Sequence, residues 1–172
     1  MSSPKQRKFL SLYEPVHDRF ERFCRARVFG QMDFRDLMND TLVIAYQNFS
    51  KLKSEKAFLS FLFGICVRVL SNYAKKKRET DYIEEHDLLN VASDIRTDDD
   101  IEVYFLHQAL SKLPEEQKES IILFEITGFS VKEIATLHQV SSAAVRQRLV
   151  RGRRKLAQIL TETSKTKLSD EK

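Results

Sequence analysis

Basic side chains crowd near the carboxy-terminal end of this chain: Arg146, Arg148, Arg151, Arg153, Arg154 and Lys155, with no acid between Ser141 and Lys155. A guanidinium fork can bridge O6 and N7 of guanine, and a carboxamide such as that of Gln147 can bridge N6 and N7 of adenine. Cations farther along the same helix meet phosphates, which adds affinity and salt dependence without sequence information. The chemistry implied is the gripping and reading of a duplex. On a helix through 142–155, Val145, Leu149, Gly152 and Leu156 fall on one inward face, and Ser142, Ala143, Arg146, Gln147, Val150, Arg151 and Arg154 fall on the outward one. Arg146 and Gln147, early on that helix, are the candidates for base edges; Arg151, Arg153, Arg154 and Lys155 are the candidates for phosphates.

Such a helix needs a frame. Ser130 and Glu133 stand at capping-box spacing, so each side chain can take the other's backbone amide and start a short helix that runs to His138. Ser141 can cap the basic helix. Together these make a helix-turn-helix. Before it, residues 101–113 form a helix ended by Pro114, which suits the first position of the next. That next helix closes at Gly128; Ile121, Ile122, Phe124 and Ile126 supply core, while Glu115, Glu116 and Lys118 face water.

The amino-terminal half is equally patterned. Residues 9–28 carry Leu12, Val16, Phe20 and Phe23 at helical spacing, with Pro15 tolerated if the helix begins near Glu14. Gly30 opens a turn, and Asp33 caps a helix over 34–48 built on Phe34, Leu37, Met38, Thr41, Ile44 and Ala45. Its opposite face offers Asp36, Asn39, Asp40 and Gln47. After a polar loop at 50–56, a third helix over 57–78 is apolar first and basic at its end, a charge that suits the helix dipole as well as any ligand. Asp81, Glu84, Glu85, Asp87, Asp94, Asp98, Asp99 and Asp100 mark residues 79–100 as an acidic linker. The chain is therefore divided into a module over 6–78, a flexible linker over 79–100, a module over 101–161 and a polar, frayed tail over 162–172.

Composition bounds the alternatives. With 172 residues, 42% hydrophobic and 31% charged, 4 Gly, 3 Pro and no Trp, the fold class expected is all-α, two small helical domains. Net charge is only +4, so local sign matters more than the sum. Cys24 and Cys66 have no CxxC or Cys/His spacing around them, which suggests neither a disulfide framework nor a zinc site and fits reduced thiols in a cytosol. The apolar run 58–70 is shorter than the ~20 residues of a membrane span and is broken by Arg68, so a buried amphipathic helix is expected. The start of the chain has no apolar signal core, and a cytoplasmic location is expected. His17, His86, His107 and His138 are scattered and there is no glycine-rich phosphate loop. An enzyme, a cofactor, a metal or a small-molecule substrate is therefore not expected.

Beyond these readings, Asp36-Leu37-Met38-Asn39-Asp40-Thr41-Leu42 with Ala45-Tyr46 resembles the signature of region 2 in bacterial sigma factors. Phe58-Leu59-Ser60-Phe61-Leu62-Phe63-Gly64-Ile65 is similar to the next segment of that region. Leu113-Pro114, Gly128-Phe129-Ser130 with Glu133-Ile134-Ala135, and Val145-Arg146 with Arg148-Leu149 and Arg151-Gly152-Arg153 resemble region 4. The order and length match the extracytoplasmic-function (ECF) group of the sigma-70 family.

The resemblance implies a promoter-specificity subunit of RNA polymerase. It places Asp36, Asn39 and Asp40 on the β′ clamp of core polymerase, with the β subunit as a further contact. It places Phe58, Phe61, Arg68, Lys75, Lys76, Lys77 and Arg78 on the unwound strand of the -10 element, where an aromatic platform and backbone cations are needed. Ser141, Ser142, Arg146, Gln147, Val150, Arg151, Arg153 and Arg154 are placed on the -35 duplex. The linker would thread the polymerase cleft, and an anti-sigma factor would be a possible partner. Departures from the family pattern are Asn39 for Gln, Phe61 for Trp, Arg68 for Asn, and His138 at a turn position that is often Gly, where a left-handed backbone would be strained. A stand-alone helix-turn-helix regulator is the alternative, and it leaves the signature at 36–46 unexplained.

Overall fold

The computed structural model of the chain describes residues 3–80 and 97–170; Asp81, Glu84, Glu85, Asp87 and Asp94 of the expected linker lie outside them. Among the described residues regular structure is helical throughout. Helix α1 (Pro4–Tyr13) starts on the Ser3 hydroxyl, which accepts from the Gln6 amide at 3.2 Å, with Pro4 at the first helical position. The expected start near Glu14 is thus too late. Pro15 is instead absorbed by a 3-10 turn (Glu14–Val16) that separates α1 from α2 (His17–Arg27). Gly30 turns the chain at φ 70°, and Asp33 caps α3 (Phe34–Gln47) by accepting from the Arg35 amide at 2.8 Å. Short 3-10 turns (Phe49–Lys51 and Glu55–Ala57) lead into α4 (Phe58–Thr80).

By length and hydropathy α4 could pass for a membrane span. Its Phe58, Leu62, Phe63, Ile65, Cys66, Val69 and Leu70 are instead buried in a core shared with Phe20, Phe23 and Leu37. Cys24 and Cys66 are free, buried thiols that meet within this core, where burial first and Cys66 second push the Cys24 thiol well above its ordinary value.

In the second half, α5 (Asp98–Ser111) begins before the expected boundary. Thr97 and Asp100 form a capping box, so Asp98, Asp99 and Asp100 belong to the first helical turn, where negative charge complements the dipole. Pro114 caps α6 (Glu115–Ile121) from outside, which continues as a π-helical turn (Ile122–Ile126) ended by Gly128 at φ 79°. Next come α7 (Val131–His138) and α8 (Ser142–Asp170). The tail expected to fray from residue 162 continues instead as α8, because no breaker interrupts it before Asp170. Where α8 crosses α6 a side chain has no room: a Cβ at Gly152 would lie 2.6 Å from Ile121 Cδ1 and 3.3 Å from Gln117 Cβ.

The two halves are packed on one another through a continuous buried cluster. Phe63 of α4 meets Phe129, before α7, with ring centroids 4.8 Å apart. Arg19 of α2 donates from Nε (3.1 Å) and Nη2 (2.7 Å) to the Thr127 carbonyl beside Gly128. Arg27, also on α2, pairs through Nε with Glu119 Oε2 and through Nη1 with Glu115 Oε2, each at 2.8 Å. Lys118, expected to face water, is 1% exposed. Its ammonium is satisfied by Glu115 Oε1 at 2.8 Å, next to Arg27.

Candidate nucleic-acid interface

The helix-turn-helix assembles from local bonds. Ser130 Oγ accepts from the Glu133 amide at 3.2 Å and Glu133 Oε2 accepts from the Ser130 amide at 2.8 Å. These bonds, the backbone one first, hold the Glu133 carboxyl below the usual carboxylate range. His138 ends α7 in helical conformation, so the strain expected at His138 is absent there. The left-handed residue is Gln139, one position later, at φ 55°. Ser141 Oγ then accepts from the Ala144 amide at 3.1 Å and opens α8.

Val145, Leu149 and Gly152 are buried against α6 and α7, which turns the opposite face outward. Ser141, Arg146, Gln147, Val150, Arg151, Arg154 and Lys155 are exposed there, and Ser142 is half-buried. Arg153 is exposed but engaged: its guanidinium pairs with Glu125 Oε1 at 2.6 Å and lies 5.3 Å from the Phe124 ring, bracing α8 against the π turn. Arg148 points away from the outward face. Its Nη2 is 3.2 Å from Glu116 Oε2 and its Nη1 is 3.3 Å from His138 Nδ1. His138 Nε2 in turn lies 2.7 Å from Glu119 Oε1. Arginine can only donate, so Nδ1 of His138 accepts and Nε2 carries the proton given to Glu119. Burial pushes the Glu119 carboxyl up, but the His138 bond and the Arg27 charge prevail and hold it below its ordinary value. Arg27, Glu119, His138 and Arg148 thus form a hydrogen-bonded chain from α2 through α6 and α7 to α8. Sequence spacing carries no signal for it, since its members come from four elements.

On the other half, Asp36, Asn39 and Asp40 are exposed on α3, with exposed Val43 and Ile44 one turn on. The Tyr73 hydroxyl, from α4, donates to Asp40 Oδ2, a contact that sequence reasoning missed. Beyond Tyr73, Lys75, Lys76, Lys77 and Arg78 are all exposed at the end of α4. Arg68 is exposed and folds its Nε back onto the Gly64 carbonyl at 3.0 Å. It lines a groove between α4 and α7 together with Ser60, Gly64, Val67, Glu133 and Leu137. The aromatic expectation needs correction at Phe58, which is 2% exposed and edge-on to Phe9 at 5.5 Å, so its ring is core. Phe61 is half-buried, with its ring 6.5 Å from that of Phe58.

Residues 12–80 match the family described as sigma-70 region 2, and residues 106–156 match sigma-70 region 4. Among curated relatives, the chain is 26% identical over 140 residues to the RNA polymerase sigma-H factor of Pseudomonas aeruginosa, covering 73% of this chain and 72% of that one. It is 28% identical over 140 residues to the ECF RNA polymerase sigma-E factor of Haemophilus influenzae, covering 74% of each. A solved structure of similar fold is the sigma factor RpoE of Bartonella quintana, crystallised with the anti-sigma factor NepR. It has a TM-score of 0.74 and 23% identity over 90% of this chain and 97% of that one.

Proposed function

This chain belongs to the sigma-70 family of RNA polymerase sigma factors, in its ECF group, and from that premise we propose which of its surfaces performs each part of initiation. As a sigma factor it binds core RNA polymerase, directs it to specific promoters and assists their opening. The -35 duplex is read by α8: Arg146 and Gln147 address base edges, while Ser141, Ser142, Val150, Arg151 and Arg154 settle the helix in the groove and on the phosphates. The observation that carries this reading is the outward face of α8, from which Arg148 is withdrawn and on which Arg146, Gln147, Arg151 and Arg154 stand exposed.

Asp36, Asn39 and Asp40 on α3 meet the β′ clamp of core polymerase, and the two modules are the region 2 and region 4 units of the family. The basic end of α4, Lys75 to Arg78, with Arg68 and Phe61, holds the separated strand of the -10 element. The protein performs no covalent chemistry, works in the cytoplasm, and is controlled from outside by an anti-sigma factor. A stand-alone regulator would have no use for the region 2 half.

The test is promoter-dependent RNA synthesis by purified protein mixed with core polymerase, on templates varied through the -35 element. Arg146→Ala is expected to alter the preference among -35 sequences, by about 1–3 kcal/mol of discrimination at the base it reads. Arg151→Ala should weaken all templates alike and flatten the salt dependence. An Arg146→Ala protein that lowers synthesis equally from every template would remove Arg146 from base reading.

A further inference from the structure

An exposed aspartate on a helix surface samples several rotamers, and a partner that must find one of them meets it at a disadvantage. Asp40 is not left to do so. Tyr73, 33 residues later on α4, reaches across and donates its hydroxyl to Oδ2 of Asp40. The Tyr73 ring is half-buried and packs against the core shared by α3 and α4, so the donor is held by a rigid side chain. A phenol has only two side-chain torsions to fix, which makes it a low-cost clamp. Burial first, then the Asp40 bond and the nearby Asp36 charge, push the Tyr73 phenol well above its ordinary value. The hydroxyl therefore keeps its proton, and donates, throughout the range in which transcription proceeds.

We propose that Tyr73 is a positioning residue for polymerase binding: it fixes the Asp40 carboxylate through Oδ2 and leaves Oδ1 for a cationic side chain of the β′ clamp. This rests on the assignment of Asp40 to the polymerase contact. Tyr73 lies two residues before the run Lys75-Lys76-Lys77-Arg78, so the clamp-facing helix and the strand-facing end of α4 are joined at this side-chain bond. The substitution Tyr73→Phe removes the hydroxyl and keeps the packed ring.

The experiment is a double-mutant cycle on the full chain, with affinity for core polymerase measured by fluorescence titration and thermal melting recorded in parallel. Tyr73→Phe should weaken core binding by about three- to tenfold, the net scale of a typical hydrogen bond, with little change in melting temperature. Asp40→Ala should weaken it at least as much. The double variant should bind no more weakly than Asp40→Ala alone, because Tyr73 acts only through that carboxylate. If Asp40→Ala weakens binding while Tyr73→Phe binds like the parent, or if the two losses add, the positioning role is wrong and the polymerase contact stands. If Asp40→Ala itself binds core like the parent, the contact assignment fails and the positioning role falls with it.

Discussion

Replacing Arg27 by alanine should destabilise the whole chain by about 2–4 kcal/mol at neutral pH. The Arg27 side chain is 10% exposed and so is that of Glu119, so this contact lies on the side of buried pairs, where removing one partner costs about 3–5 kcal/mol. Two features pull the figure down. Glu119 keeps His138 at 2.7 Å, so it is not stranded without a donor. The second contact, to Glu115, is made to a side chain 58% exposed and adds no more than the ~0–1 kcal/mol of a surface pair. The pH dependence gives a sharper check. Glu119 and Glu115 both titrate below their ordinary 4.5 when folded, so they add stability above the unfolded value and lose it as the pH falls through the folded ones. In Arg27→Ala part of that depression is gone, and less is left to lose. The difference between parent and variant should therefore shrink on acidification below about pH 4.5. Urea unfolding at a series of pH values measures it directly. A difference under about 1 kcal/mol at neutral pH, or one that grows in acid, would refute the argument that this pair fastens the two halves.

Two further outcomes follow from backbone and packing. Gly152→Ala places a methyl within 2.6 Å of Ile121 Cδ1, inside a buried crossing that cannot yield freely, and should lower stability by about 1–3 kcal/mol in thermal melts. Retained stability would mean that α6 and α8 slide apart easily. Gln139→Gly relieves a left-handed residue at φ 55° and should raise stability by up to about 1 kcal/mol, a melting temperature shift of a few degrees at most. A loss instead would show that the glutamine side chain supports the turn.

What is legible in the sequence is what is decided locally. The Ser130 and Glu133 box, the Asp33 and Ser141 caps and the inward stripe Val145, Leu149 and Gly152 depend on residues within a turn or two of each other, and each forms as its spacing implies. Charge misleads where the partner is remote. Lys118 looks like the wet face of a helix until α2 is laid over it with Arg27, and Arg153, a phosphate candidate by type, is taken up instead by Glu125. Asp98, Asp99 and Asp100 illustrate the same limit from the other side. Three acids in a row suit an unstructured linker by composition, yet behind Thr97 they suit a helix start better. Phe58 is a candidate platform by type because aromatic residues serve bases and cores alike, and the approach of Phe9 from α1 and of Phe49 after α3 decides between them.

The contacts of Arg19 with Thr127 and Arg27 with Glu119 lie outside both halves' family motifs, and that of Phe63 with Phe129 links the two motifs, so each joins one half to the other. A change at one end of such a contact therefore alters the environment of the residue at the other. A chimera that takes region 4 from a relative would set Arg19, Arg27 and Phe63 against a foreign α6 and turn. Such grafts should succeed when the facing residues travel together and fail when the cut is made only by motif boundaries.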